Sequence, residues 1–134
     1  MDLLLFVAAL CIVISLVLAW LASLGLYLEV GAVLKVFPAA HQLVRAHIDY
    51  LLMGLLLAAT VFMAEYQDVD LPAFVRWMAV IGALYNPVGF LVLATRPGER
   101  GPRPGAETWA TIAGFVPATI GFGAAAVLIG LESL

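Results

Sequence analysis

Four long apolar segments, separated by short polar links, run along the chain. A helix needs about 20 apolar residues to cross the roughly 30 Å hydrocarbon core of a bilayer. Each segment reaches or approaches that length, and the links hold most of the charged residues. The pattern therefore predicts an all-α integral membrane bundle in a single domain, residues 1–134, with four transmembrane helices at about 3–28, 42–65, 73–95 and 108–132.

The second span carries charge into the membrane. Its uncharged core, residues 50–64, is only 15 residues long, so the helix has to extend backwards in order to cross. The extension places Arg45, His47 and Asp49 at or inside the membrane edge. Pro38 is the expected first-turn start of this helix, because a proline in the first turn loses no helical hydrogen bond.

The third and fourth spans each carry a structural signal. Pro87 predicts a kink in the third span, because proline has no backbone N–H to donate. Small residues recur at helical spacing along the fourth span, which is typical of a helix–helix contact face in membranes. They are Ala110, Gly114, Ala118, Ala126 and Gly130.

Composition and charge narrow the class of protein. Hydrophobic residues make up 65% of the chain and charged residues 11%, with a net charge of −3, which excludes a water-soluble globule and a basic nucleic-acid-binding surface. The single cysteine, Cys11, excludes an intrachain disulfide and a Cys-based zinc or iron–sulfur site. Basic residues concentrate in the links after the first and third spans. Because cytoplasmic loops of membrane proteins carry an excess of Lys and Arg, we expect these links to lie on the cytoplasmic side of the membrane. The expected membrane is a bacterial inner membrane.

The main candidate for chemistry is His47, because ionisable groups inside lipid are costly and mark functional sites. It lies on an otherwise apolar face, in line with Gly54 and Ala58. Its imidazole would either hydrogen-bond a neighbouring helix or ligate a metal or haem iron, with Gly54 and Ala58 leaving room for a flat macrocycle. With two histidines in the chain, a polyhistidine zinc cage within one subunit is disfavoured, whereas haem iron needs only one protein ligand.

Three further polar features have two interpretations each. Arg45 and Asp49 are four residues apart, so they form either an interfacial salt bridge or a site for the carboxylates of a ligand. Asn86 either satisfies the backbone carbonyl that the kink releases or orients a ligand. Tyr50 either packs near the span end or offers its phenol to a bound group.

Short motifs follow one another across the last three spans: RAH at 45–47, NPVGF at 86–90, RP at 96–97 and AGFVPATIGFGAAAVLIG at 113–130. Together they resemble the styrene oxide isomerase family, over about residues 42–130. Members of that family are small four-helix membrane proteins that form trimers and hold haem b between neighbouring subunits through an axial histidine. The resemblance implies that this chain is a homotrimer, that it binds haem b and that His47 ligates the iron.

The resemblance also implies a reaction. The family rearranges aryl epoxides to aldehydes, with ferric haem as the Lewis acid and no net redox change. A hydrophobic small molecule such as an aryl epoxide is then the expected substrate, taken from the lipid bilayer. By the same resemblance, Arg45 is a candidate partner of the haem propionates, and Asn86 and Tyr50 are candidate catalytic groups of the pocket.

The chain departs from the family pattern in the third span, where Ala83 stands near the place of an expected carboxylate, and at two further positions. Met53 stands where the family has an asparagine six residues after the axial histidine, and Leu91 stands where a tyrosine follows the Gly-Phe of the third span. These departures leave a second interpretation, a haem-binding membrane sensor, carrier or electron-transfer protein without isomerase activity. A haem-free packing subunit or transporter fragment is the third.

Overall fold

Helices make up nearly all of the regular structure. The computed structural model describes residues 1–96 and 105–132, and this part of the chain contains no strand. The helices are α1 (Asp2–Leu26), α2 (Gly31–Val36), α3 (His41–Tyr66), α4 (Ala73–Tyr85), α5 (Val88–Ala94) and α6 (Ala106–Glu132). Helices α1, α3 and α6 have 25, 26 and 27 residues, so each is long enough to cross a bilayer.

Four stretches of the described chain are both long and apolar enough to cross a membrane. They are Asp2–Leu26, His41–Tyr66, Ala73–Ala94 and Ile112–Glu132. The third stretch combines α4 and α5 across a short break. The prediction of an all-α bundle with four membrane-spanning helices is therefore confirmed.

The outer surface of the bundle is apolar. Large side chains such as Phe6, Trp20 and Phe62 are 67%, 71% and 70% exposed. A water-soluble monomer rarely exposes so much contiguous apolar surface. Lipid tails are the environment that suits this surface.

The bundle is built from two antiparallel helical hairpins. Helix α1 packs against α3, α4 packs against α6, and α5 returns to α3. In the first hairpin Gly54 permits the close approach, because a Cβ there would lie 3.0 Å from the carbonyl oxygen of Ala8. At the other end of α1, a Cβ at Gly25 would lie 3.0 Å from the Cβ of Ala40. The end of α1 thus lies beside the start of α3 and the beginning of α1 beside the middle of α3, so the two helices run antiparallel.

The two helices of the second hairpin, α4 and α6, approach each other more closely than α1 and α3 do. A Cβ at Gly82 of α4 would overlap the backbone of Ala118 in α6, and one at Gly121 would overlap the backbone of Ala79. Small residues let two helix backbones approach closely, which is how membrane helices gain packing energy without a hydrophobic driving force between them. The α4–α6 pair therefore depends on glycine at two positions.

The small-residue stripe predicted for the fourth span makes contact over part of its length. Ala118 contacts α4, and a Cβ at Gly114 would lie 2.9 Å from the ring of Tyr85, so both positions face the partner helix. Ala126 and Gly130 are exposed, and the prediction is wrong for them. The buried face of α6 continues through Gly121, Ala125 and Ile129 instead, which lie on a different line of the helix from Ala126 and Gly130. The side chain of Ala110 lies outside the described residues.

The third span is broken where the sequence predicts a kink. Helix α4 ends at Tyr85, α5 begins at Val88, and the buried Pro87 lies between them. Proline removes a backbone donor and its ring crowds the preceding turn, so the helix cannot continue unchanged. The kink is therefore confirmed.

The entry to α3 differs from the prediction. The helix begins at His41, three residues after Pro38, and residues 38–40 form a turn. The N–H of Ala39 donates to the carbonyl of Ala94 at 3.1 Å. This bond holds the turn against the end of α5, so Pro38 precedes the helix and does not open it. The short helix α2 in the preceding link was not predicted.

A buried amide near this entry gives a stability prediction. Gln42 is 1% exposed, and its Oε1 has no hydrogen-bond partner within residues 1–96 and 105–132. Leaving such a group unpaired costs about 1–3 kcal/mol. We expect Gln42→Met, which keeps a long unbranched side chain, to raise the free energy of unfolding in detergent by about 1 kcal/mol. A loss of stability would contradict this and would mean that the amide oxygen has a partner in solution.

Candidate functional site

The side chain of His47 is anchored to α1 by its Nδ1 atom. Nδ1 lies 2.8 Å from Oγ of Ser15 and 2.9 Å from the backbone carbonyl oxygen of the same residue. Ser15 is fully buried, whereas His47 is half-buried at the edge of the α1–α3 interface. The expectation that this imidazole hydrogen-bonds a neighbouring helix is confirmed.

The carbonyl contact decides which ring nitrogen carries the proton. A carbonyl oxygen can only accept a hydrogen bond, and two lone pairs facing each other at 2.9 Å would repel. Nδ1 of His47 is therefore the N–H donor, and in the neutral form of the ring Nε2 carries the lone pair. Across the described part of the chain, Nε2 has no hydrogen-bond partner. Histidines that ligate metals in proteins also donate a hydrogen bond from the other ring nitrogen to a carbonyl or carboxylate oxygen.

The pair lies well inside the apolar length of the helices. Ser15 is thirteen residues from the start of α1 and eleven from its end. His47 is six residues after the start of α3, which is about 9 Å along the axis at 1.5 Å per residue. The contact between His47 and Ser15 thus joins two candidate membrane-spanning helices, α1 and α3, within their length.

Gly54 does not have the role that the sequence suggested. The space beside it is filled by α1, because a Cβ at Gly54 would lie 3.0 Å from the Ala8 carbonyl oxygen and 3.3 Å from Cβ of Cys11. Gly54 therefore accommodates a helix and leaves no room for a macrocycle, which corrects the prediction. Ala58, one turn further, stays partly exposed at the same edge of α3 as His47.

A second polar cluster joins α3 to the broken third span. Nδ2 of Asn86 donates to Oδ2 of Asp49 at 3.2 Å. The hydroxyl of Tyr50 donates to the carbonyl of Leu84 at 3.1 Å, in the last turn of α4. The expectation that Asn86 satisfies a carbonyl at the kink is wrong, because Asp49 takes its amide and Tyr50 binds a carbonyl there instead.

Arg45 and Asp49 do not pair. Among the described residues they form no ion pair, since the Asp49 carboxylate is turned to Asn86. Arg45 is exposed near the start of α3. The interfacial salt bridge, one of the two interpretations of this pair, is thus not formed among the described residues.

The two polar clusters lie on opposite edges of α3. Arg45 and Asp49 are each two residues from His47, and a two-residue step on a helix turns the side chain by about 160°. Accordingly, His47 contacts α1 while Asp49 contacts the residue at the α4–α5 break. Within a single chain, Arg45 and Asn86 therefore lie across α3 from His47 and do not approach its Nε2 atom.

Two residues of these clusters were not identified from the sequence as site residues. Ser15 is one of only two serines in the first span, and a hydroxyl in such an apolar run was the available signal. The sequence predicts a role for Asp49 only together with Arg45, although a carboxylate inside a span is by itself a signal of function. The spacing of residues along the chain does not show that Ser15 contacts His47 or that Asp49 contacts Asn86, because both contacts join different helical segments.

The metal-ligating side chains of the described residues suit a cofactor that itself supplies most of the ligands of its metal. Within residues 1–96 and 105–132, no three His, Cys, Asp or Glu side chains converge on one point. Haem needs a single axial ligand from the protein, because the porphyrin supplies the other four nitrogens. The half-buried His47 with its unpaired Nε2 fits that requirement.

Comparison with known proteins gives no relative. No protein-family model matches the chain, and neither the curated proteins nor the solved structures contain a match.

Proposed function

We propose that this protein binds haem b in the membrane and that Nε2 of His47 is the axial ligand of the iron. The observation that carries the proposal is the 2.9 Å contact between Nδ1 of His47 and the Ser15 carbonyl. This contact assigns a proton to Nδ1 and fixes the ring orientation, which supports Nε2 of the neutral ring as the atom that would bind the iron. The family resemblance of residues 42–130 points to the same histidine.

A homotrimer would complete the site. Arg45 and Asn86 lie across α3 from His47, so they would reach a group bound to His47 only from another copy of the chain. In a cyclic trimer each interface joins two different surfaces of the chain. The edge with His47 on one copy would then meet the edge with Arg45 and Asn86 on the next. Arg45 would pair with a haem propionate, as its exposed guanidinium near the span end allows.

The proposed activity is the isomerisation of a hydrophobic epoxide to an aldehyde. Bound ferric haem supplies a Lewis acid. The apolar outer surface takes the epoxide from the bilayer, and the apolar helix faces keep water from the opening ring. Asn86, whose amide Asp49 orients at 3.2 Å, retains one N–H for the substrate oxygen.

An absorption spectrum tests the proposal directly. The detergent-purified protein is measured as isolated and after dithionite, and styrene oxide is then added to the ferric sample. A Soret band that shifts with the epoxide, together with formation of phenylacetaldehyde, is the expected result. Absence of a Soret band after haem supplementation would overturn the proposal and leave His47 with a structural role alone.

A haem protein without isomerase activity is the second candidate. Met53 and Leu91 replace two polar groups of the resembled family, and the hydroxyl of Tyr50 is held by the Leu84 carbonyl. These observations favour a sensor, carrier or electron-transfer protein. A Soret band that does not respond to styrene oxide, with no aldehyde formed, would support this candidate over the isomerase.

A further inference from the structure

Ser15 differs from Ser23 and Thr60, two other aliphatic hydroxyl residues inside the long helices. The hydroxyl of Ser23 donates to the carbonyl of Ala19 at 2.9 Å, and that of Thr60 to the carbonyl of Leu56 at 2.8 Å. Both bonds stay within one helix and span four residues, which is the usual way to satisfy a hydroxyl in lipid. Ser15 Oγ instead lies 2.8 Å from Nδ1 of His47, across the α1–α3 interface.

We infer that Ser15 is a positioning residue that controls how strongly His47 donates electrons to a metal. The inference rests on the proposed function. Ser15 presents two oxygens to one N–H, its carbonyl at 2.9 Å and its hydroxyl at 2.8 Å. An imidazole that donates a strong hydrogen bond from Nδ1 becomes more basic at Nε2, because the ring gains anionic character. A more basic axial ligand stabilises the ferric state and lowers the reduction potential of the iron.

The inference brings α1 into the site. The family resemblance covers about residues 42–130, so nothing in it points to a residue of α1. Ser15 is fully buried and near the middle of α1, which holds both of its oxygens in place. The backbone oxygen is supplied by any residue at this position, whereas the hydroxyl is supplied by serine. A substitution at Ser15 therefore removes one acceptor and keeps the other.

The test compares Ser15→Ala with Ser23→Ala in the full-length protein. Ser23 is the matched control, because its hydroxyl lies in the same helix and bonds only its own backbone. We expect Ser15→Ala to keep its haem but to have a more positive midpoint potential in a spectroelectrochemical titration, with Ser23→Ala equal to wild type. If Ser15→Ala fails to fold, Ser15→Cys replaces it, since thiol and hydroxyl are similar in size and sulfur is a weak acceptor.

A second readout does not need haem. In haem-free protein labelled with ¹⁵N-histidine, we expect wild-type His47 to show a protonated Nδ1 and an unprotonated Nε2, and the Nδ1 resonance to move in Ser15→Ala only. If haem-loaded Ser15→Ala and Ser23→Ala have the same midpoint potential, the electronic role of Ser15 is overturned, whereas the proposal of haem binding is not. A wild type that shows this tautomer but takes up no haem would overturn the proposed function and, with it, the electronic role of Ser15.

Discussion

Replacing His47 by Ala is expected to abolish the Soret band of the purified protein without preventing its insertion into the membrane. His47 is the one histidine inside the described spans whose imidazole has an unpaired nitrogen positioned by another helix. The span remains apolar after the substitution, so the helix still meets the requirement for insertion. The measurement is the ratio of Soret to protein absorbance in detergent, together with the amount of protein in washed membranes.

His41→Ala is the matched control for that experiment. His41 is the other histidine of the chain, and it is exposed at the first position of α3. Its removal should leave the Soret band unchanged. Full haem occupancy in His47→Ala would rule out His47 as the ligand, whereas loss of haem in both variants would indicate a general effect of changing this end of α3.

Replacing Gly121 by Ala is expected to lower the free energy of unfolding by about 1–3 kcal/mol, the usual cost of forcing extra volume into a packed interface. The added methyl group would overlap the backbone of Ala79 and Met78, which cannot move aside as a flexible side chain can. The α4 and α6 helices would have to separate. Thermal unfolding in detergent, followed by circular dichroism, measures the change.

Gly123→Ala controls for the helix propensity of alanine. Gly123 lies in the same helix, two residues further on, and no atom lies within 4 Å of a Cβ placed there. Alanine favours a helix over glycine by about 1 kcal/mol, so this variant should be as stable as wild type or slightly more stable. Equal stabilities of Gly121→Ala and Gly123→Ala would mean that the α4–α6 contact is looser than described here.

Much of the fold could be predicted from the sequence because membrane spans depend on local properties. The length of each apolar run decides whether a helix crosses, and Pro87 breaks a helix wherever it occurs in one. The start of α3 could not be predicted in the same way. It depends on the bond from Ala39 to Ala94, whose partners are 55 residues apart in the chain, and no periodicity within one segment reports such a contact.

In the candidate site, too, some features could be predicted from the sequence and others could not. His47 and Asn86 were identified because polar groups are rare in apolar runs, and both do make polar contacts between helices. Their partners, Ser15 and Asp49, depend on which faces of α3 meet α1 and α4. The role suggested for Gly54 failed for that reason: its face of α3 is covered by α1. The spacing of residues along a helix shows which face of the helix a residue occupies, but it does not show which other helix packs against that face.

The antiparallel pairing of α1 with α3 affects the order of events during biosynthesis. A chain emerges from the ribosome with its N-terminus first, and its N-terminal parts begin to fold before the rest is made. Residues 1–66 already contain both helices of the first hairpin and the contact between Ser15 and His47. The orientation of the His47 imidazole would therefore be set before the second hairpin enters the bilayer. Asn86 would reach Asp49 only when the second hairpin enters the bilayer.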